Sequence, residues 1–157
     1  MRKSDKGQVT GGKGQAGKIR AISISKNKGA KKQNISEALL REDFGIVGDA
    51  HAGTERQVSL LAQESIEKMR RKGLDVKSGD FAENITTEGI DLMALKPGSK
   101  LKIGKQVLLE ITQLGKVCHT RCSIYYQAGD CVMPKEGVFA RVLKGGIIKP
   151  EDKVEVL

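Results

Sequence analysis

Residues 100–114 have the sequence KLKIGKQVLLEITQL, and this stretch is the clearest indication of the fold. Gly104 separates two short apolar runs, 100–103 and 106–114. In the second run, Val107, Leu109 and Ile111 are spaced two residues apart, which is the period of a β-strand with one buried face. The stretch therefore predicts two short strands separated by a glycine.

Similar apolar runs recur about every ten residues along the rest of the chain. We predict further strands at 18–25, 57–62, 81–87 and 153–157, a helix at 63–72, and short helical segments at 36–41, 121–127 and 137–143. The sequence has no βαβ rhythm and neither a GxGxxG nor a GxxxxGK[ST] motif, which argues against a nucleotide-binding parallel sheet. It therefore predicts a mainly β fold, a barrel or folded sheet with helices at its rim.

Positive charge is concentrated at the N-terminus. Of the 157 residues, 1–32 hold ten Lys or Arg and one acid, whereas 33–157 hold eighteen of each sign. We expect residues 1–17 to be a flexible basic leader and residues 18–157 to form a single domain. Because the body is neutral and only 3% of residues are aromatic, a nucleic-acid partner is not expected.

The cysteine count and the apolar runs indicate the compartment. The chain has three cysteines, an odd number, and its N-terminus lacks the apolar core of a secretory signal. No run approaches the roughly 18 apolar residues that a transmembrane helix needs. We therefore expect a cytoplasmic protein with reduced thiols and no membrane partner.

Residues 116–131, KVCHTRCSIYYQAGDC, hold all three cysteines and one of the two histidines. Cys118 and Cys122 are four residues apart, so in a helix they share one face. Positive charge from Arg121 favours a thiolate, which sulfur transfer and metal ligation both require. The segment therefore predicts a functional thiol.

Two other interpretations of the cysteines stay open. In the first interpretation, the cysteines are small buried hydrophobic residues, which is the usual role of a lone cysteine. Alternatively, Cys118, Cys122 and Cys131 bind zinc together with His119 or His51, although zinc ligands usually come as close pairs from two places.

Three further polar segments are candidates. Glycines in GIVGDAHAGTERQVSLL (45–61) allow a tight loop in which Asp49 orients His51 and Arg56 binds a phosphate or carboxylate; the alternative is a capped turn with a solvated imidazole. In FAENI, Glu83 and Asn84 interrupt an apolar run and form either a hydrogen-bond node or the wall of a site. The lysines of SKNKGAKKQ (25–33) form a solvated loop or an anion-binding edge.

Four of these segments, in order, resemble the MOSC family, which is named after the C-terminal domain of molybdenum cofactor sulfurases. They are GDAHAG with RQVSLL, GDFAENI followed by Gly89, GKVCHxxC, and GVFARVLKGG. The resemblance covers about residues 19–157 and is to the small stand-alone members. It implies a closed or nearly closed β-barrel with a few peripheral α-helices.

The resemblance also implies sulfur or molybdenum chemistry at one cysteine. Cys122 best matches the family's functional cysteine, and Cys118 is then a resolving thiol or its disulfide partner. The residues expected to bind substrate or cofactor are His51, Arg56, Asp49, Glu83, Asn84 and Arg121.

The first functional hypothesis is a sulfur carrier related to the molybdenum cofactor. Cys122 would accept sulfur as a persulfide from a separate pyridoxal-phosphate-dependent cysteine desulfurase and deliver it to a metal–sulfur or molybdenum-pterin acceptor protein. The alternative is a molybdopterin-dependent reductase of N-hydroxylated compounds with Cys122 as a molybdenum ligand. A second alternative is a non-catalytic binding module with structural cysteines. Whether the protein is an enzyme stays open; if it is one, the candidates are a sulfurtransferase and a molybdenum-cofactor-dependent enzyme.

Overall fold

The computed structural model describes residues 14–28, 31–115 and 136–157, and these form a mainly β fold. The strands in chain order are β1 (Ala16–Ile24), β2 (Gln33–Ile35), β3 (Ala38–Arg41), β4 (Gly45–Ile46), β5 (Val58–Ala62), β6 (Ile85–Glu88), β7 (Lys100–Ile103), β8 (Val107–Leu114), β9 (Val138–Lys144), β10 (Gly146–Ile148) and β11 (Lys153–Val156). In the described part of the chain, one α-helix, α1 (Gln63–Arg71), follows β5, and a short 3-10 helix spans Leu92–Ala94.

Seven strands close into a barrel in the order β11–β7–β8–β9–β5–β6–β1, because β1 pairs with both β6 and β11. Neighbouring barrel strands are antiparallel, except that β5 and β6 are parallel. β2 extends the sheet beyond β1, and β10, β3 and β4 form a separate three-stranded sheet. The predicted mainly β barrel is therefore confirmed, and the barrel is closed.

Aliphatic side chains fill the barrel. On β8, Val107, Leu109 and Ile111 are buried in one apolar cluster, as their spacing predicts. The antiparallel register places Ile103 of β7 opposite Val107, so Gly104 lies in the turn between the two strands. Burial of each such large aliphatic side chain contributes roughly 1.5–3 kcal/mol, which is why this stretch positions two neighbouring walls of the barrel.

The helix α1 covers one outer face of the barrel. Ile66 and Met69 of α1 pack against Leu61, Phe81 and Phe139 in a second apolar cluster outside the barrel. Among the described residues, no helix has the length and apolar character needed to cross a membrane.

Two segments predicted as helical are strands. Residues 36–41 include β3, which pairs with β10, and residues 138–143 of the second segment lie within β9. On β3, Ala38 and Leu40 are buried while Leu39 and Arg41 are exposed, so the strand period is present but only four residues long. The first residues of β9 are buried on both faces, because Phe139 packs in the outer cluster while its neighbours face the barrel interior. A strand buried on both sides has no alternation to distinguish it from a helix.

Some predicted boundaries also shift. β1 begins at Ala16, two residues before the predicted start, and β6 begins only at Ile85. Residues 81–84 instead form a loop before β6. Residues 1–13 of the predicted leader and the helical segment at 121–127 lie outside the described residues.

Candidate functional site

A buried ion pair lies at the end of the barrel where β1 ends. Lys32 Nζ is 2.7 Å from Asp49 Oδ1, and the two side chains are 1% and 0% exposed. Lys32 Nζ also donates to Ser25 Oγ, and the backbone N–H of Ser25 donates to Asp49 Oδ1. Lys32 is therefore neither a solvated lysine nor part of an anion-binding edge; it ties the loop after β1 to the loop after β4.

Asp49 is held ionised in this position. Burial alone would raise the pKa of Asp49, but the hydrogen bond from Lys32 Nζ and those from the backbone N–H groups of His51 and Ser25 outweigh it and hold the pKa below its ordinary value.

His51 is positioned through its backbone. The His51 N–H donates to Asp49 Oδ2 at 3.0 Å, and Thr54 Oγ1 donates to the His51 carbonyl. The imidazole Nδ1 lies 3.9 Å from Asp49 Oδ2 and the ring is about a quarter exposed. At that distance the carboxylate acts on the ring through charge rather than through a hydrogen bond.

Glu83 closes the loop that follows α1. The side chain is fully buried and accepts hydrogen bonds from the backbone N–H groups of Gly79 and Phe81 and from Thr86 Oγ1. Burial raises the pKa of Glu83, and these hydrogen bonds oppose the rise only in part. Glu83 thereby fixes the loop 77–83 from within.

Asn84 bridges two barrel strands. Its Oδ1 accepts from the N–H and Oγ of Ser59 on β5, and its Nδ2 donates to the Ser23 carbonyl on β1. The parallel ladder between β5 and β6 begins one residue later, at Leu60 and Ile85. Just before this ladder begins, the Asn84 side chain therefore makes the hydrogen bonds to β5 and β1 that backbone groups make further along the strands.

These contacts join three predicted site residues, Asp49, His51 and Glu83, into one polar network through Lys32, whose N–H donates to the carbonyl of Gly79 in the Glu83 loop. Asn84 follows Glu83 in the chain and is bonded separately, to Ser23 and Ser59. Sequence reasoning placed Lys32 in a basic loop, as a solvated or anion-binding residue, and did not predict its pairing with Asp49. It missed Ser23, a polar residue in an apolar strand.

Gly79 must be glycine for two reasons. Its φ is +96°, and a Cβ there would lie 2.4 Å from the Lys32 carbonyl oxygen. Gly73 has the same φ of +96°, but nothing lies within 4 Å of its Cβ position.

We expect Gly79→Ala to lower the free energy of unfolding by about 2–4 kcal/mol, because strain at positive φ adds to the clash with the backbone. The matched variant Gly73→Ala should cost only about 1 kcal/mol. Urea unfolding of both variants measures the difference, and equal losses would mean that the close approach to Lys32 does not matter.

Arg56 follows the His51 turn, because its N–H donates to Thr54 Oγ1, which in turn donates to the His51 carbonyl. Its guanidinium carbon is 5.2 Å from the centroid of the Phe139 ring, a cation–π contact. Phe139 is the second residue of β9. Arg56 therefore lies beside the point where the connection from β8 re-enters the barrel.

Residues 116–135 connect β8 to β9. They lie outside the described residues, and with them Cys118, Cys122, Cys131, His119 and Arg121. The flanking glycines are joined, since the Gly115 N–H donates to the Gly137 carbonyl at 2.6 Å. Both ends of the cysteine connection are therefore held together at one end of the barrel.

A cleft of about 440 Å³ lies at that end, lined among others by Glu64, Ser65, Asp91 and Glu136. Ser65 and Lys68 of α1 both bond the Glu136 carboxylate. The strand directions place this end opposite the one that holds Asp49 and His51. A single site that contains both Cys122 and His51 therefore stays a prediction.

No group of three or more His, Cys, Asp or Glu side chains within residues 14–28, 31–115 and 136–157 is arranged to hold a metal ion. The zinc alternative depends on cysteines outside these ranges and stays a prediction.

Solved structures similar to this chain share its fold. The YuaD protein from Bacillus subtilis superposes with a TM-score of 0.78 at 19% identity, over 92% of this chain and 97% of that one. YiiM from Escherichia coli gives 0.62 at 16% identity, over 89% and 69%, and YiiM from Geobacillus stearothermophilus gives 0.63 at 18%, over 88% and 75%. No curated protein matches the sequence.

The family model of the MOSC domain matches residues 47–155, more than half of the chain. The match includes Asp49, His51, Glu83 and Asn84 and both anchors of the cysteine connection. The chain belongs to the MOSC domain family.

Proposed function

We propose that this MOSC domain is a cytoplasmic sulfur carrier in which Cys122 accepts sulfur as a persulfide. The donor is a pyridoxal-phosphate-dependent cysteine desulfurase, and the acceptor is a metal–sulfur or molybdenum-pterin protein. MOSC domains are associated with molybdenum-cofactor-related proteins, which supports this class of chemistry.

The observation that carries the proposal is the way the cysteine connection is held. The Gly115–Gly137 hydrogen bond fixes its two ends, and Arg56 lies beside the strand it enters. A guanidinium beside the start of β9 favours anionic sulfur that the connection brings to it, both the attacking thiolate and the persulfide that it becomes.

The proposed transfer is a thiol–disulfide exchange, in which no net oxidation or reduction of sulfur occurs. The Cys122 thiolate attacks the terminal sulfur of the donor's persulfide, a new S–S bond forms, and the donor's thiolate leaves. For release as sulfide, the Cys118 thiolate attacks Sγ of Cys122, hydrosulfide leaves, and a Cys118–Cys122 disulfide remains for a cellular thiol to reduce.

The described residues at the two ends of the barrel do not by themselves fit a molybdenum-pterin group. Lys32 is already paired with Asp49, Glu83 is saturated by its own loop, and the 440 Å³ cleft is lined by carboxylates where a pterin phosphate would need cations. We therefore derive no step through molybdenum. The reductase with Cys122 as a metal ligand stays an alternative.

Mass spectrometry tests the carrier. After incubation with a cysteine desulfurase and cysteine, the wild type should gain one sulfur atom, Cys118→Ser should gain it and release it more slowly, and Cys122→Ser should gain none. Cys131→Ser is the matched control and should behave like the wild type. Equal loading of Cys122→Ser and wild type would contradict the proposal, and molybdenum that co-purifies with wild type but not with Cys122→Ser would favour the reductase.

A further inference from the structure

A polar cleft of about 260 Å³ lies on the outer wall of the barrel, away from both ends described above. Four elements contribute to it: β1, β2, α1 and the loop after α1. Its polar lining consists of Arg20, Asn34, Gln63, Arg70, Lys77 and Ser78.

Arg20 reaches the cleft because of a β-bulge. Ile19 pairs with Thr87 and Ala21 with Thr86, so Arg20 is the extra residue of β1 and has no partner on β6. Bulges of this kind redirect a side chain and are common beside functional sites. In the described part of the chain, no ion pair or side-chain hydrogen bond engages Arg20 or Arg70.

The remaining walls are held in place. Asp80 Oδ2 accepts from the Lys77 N–H, and buried Glu83 accepts from the Gly79 N–H, so the loop that carries Lys77 is fixed from beneath. On the other side, Asn34 Oδ1 accepts from Ser23 Oγ, which orients the amide of Asn34.

The charge around the cleft is positive. Arg20, Arg70 and Lys77 contribute three cations. Of the nearby carboxylates, Asp80 lies 3.8 Å from Lys77 Nζ, and Glu67 accepts from Gln63. Two guanidinium groups, which the described residues leave unpaired, therefore converge with an ammonium and several neutral donors.

We propose that this cleft binds the phosphoryl group of a small molecule, a phosphate or diphosphate ester. Arginines bind phosphate oxygens in a bidentate way, and the amide and hydroxyl groups supply further donors. The volume is below the usual range for a whole drug-sized ligand and suits one or two phosphoryl groups. This inference goes beyond the sulfur-carrier function and does not depend on the cysteines.

Isothermal titration of the full chain with inorganic diphosphate tests the proposal. We expect saturable one-to-one binding by wild type, and about tenfold or greater weakening in Arg20→Gln and in Arg70→Gln, because each loses charge-assisted hydrogen bonds. Arg71→Gln is the matched control: it removes the same charge from the same end of α1 but does not line this cleft, and its affinity should stay within about twofold of wild type.

Absence of saturable binding by wild type overturns the proposal. Equal weakening by Arg20→Gln and Arg71→Gln overturns it as well, because the response would then follow net charge, to which the basic N-terminal residues also contribute. Arg20 is exposed, and the thermal unfolding of each variant confirms that the comparison is made between folded proteins.

Discussion

Replacing Lys32 by Met should lower the free energy of unfolding by about 3–5 kcal/mol, the usual cost of removing one partner of a buried ion pair. The Asp49 carboxylate would remain fully buried, with only the backbone N–H groups of His51 and Ser25 as donors. Urea unfolding at neutral pH measures the loss. Lys31→Met is the matched control, because Lys31 is exposed and its replacement should change stability by no more than about 0.5 kcal/mol.

The pH dependence of this loss has a defined sign. In the folded wild type the pKa of Asp49 lies below its ordinary value, so the carboxylate contributes stability above about pH 4 that is lost as the pH falls through the folded-state pKa. In Lys32→Met, burial without the ammonium raises the pKa of Asp49, and protonation then relieves the penalty. The difference in free energy of unfolding between wild type and Lys32→Met should therefore be largest at neutral pH and become smaller on acidification. A difference that does not depend on pH would mean that the loss comes from packing rather than from the ion pair.

The sequence was informative about the fold where strands have one polar face. The spacing of Val107, Leu109 and Ile111 predicted β8, because burial on one side leaves a period of two. β5, which is buried on both faces, was predicted at 57–62 only as a short apolar run. Prediction failed at β9, where Phe139 packs outside the barrel and its neighbours pack inside, so that the apolar run has no period.

The candidate site was predictable in part for a similar reason. Asp49, His51, Glu83 and Asn84 stand out because polar residues interrupt apolar or glycine-rich segments. The connection of the first three depends on Lys32 and on the Gly79 carbonyl, which come from distant parts of the chain. A contact between residues 32 and 49 leaves no trace in either local pattern, so only the folded structure reveals it.

Asn84 shows how much a single polar side chain contributes to this end of the barrel. Asn84→Ala removes the acceptor for the Ser59 N–H and the donor to the Ser23 carbonyl, and all three residues are buried. Each buried group left without a partner costs about 1–3 kcal/mol. We therefore expect Asn84→Ala to lower the free energy of unfolding by about 2–5 kcal/mol, measured by urea unfolding.

Thr87, three residues after Asn84, provides a control, because its replacement should not lower the free energy of unfolding. Its hydroxyl oxygen is buried and, in the described structure, has no hydrogen-bond partner. Thr87→Val keeps the shape of the side chain and removes only that unpaired group, so it should leave stability unchanged or raise it by about 1 kcal/mol. If Asn84→Ala and Thr87→Val instead had equal effects, the Asn84 amide would not be bridging β1 and β5.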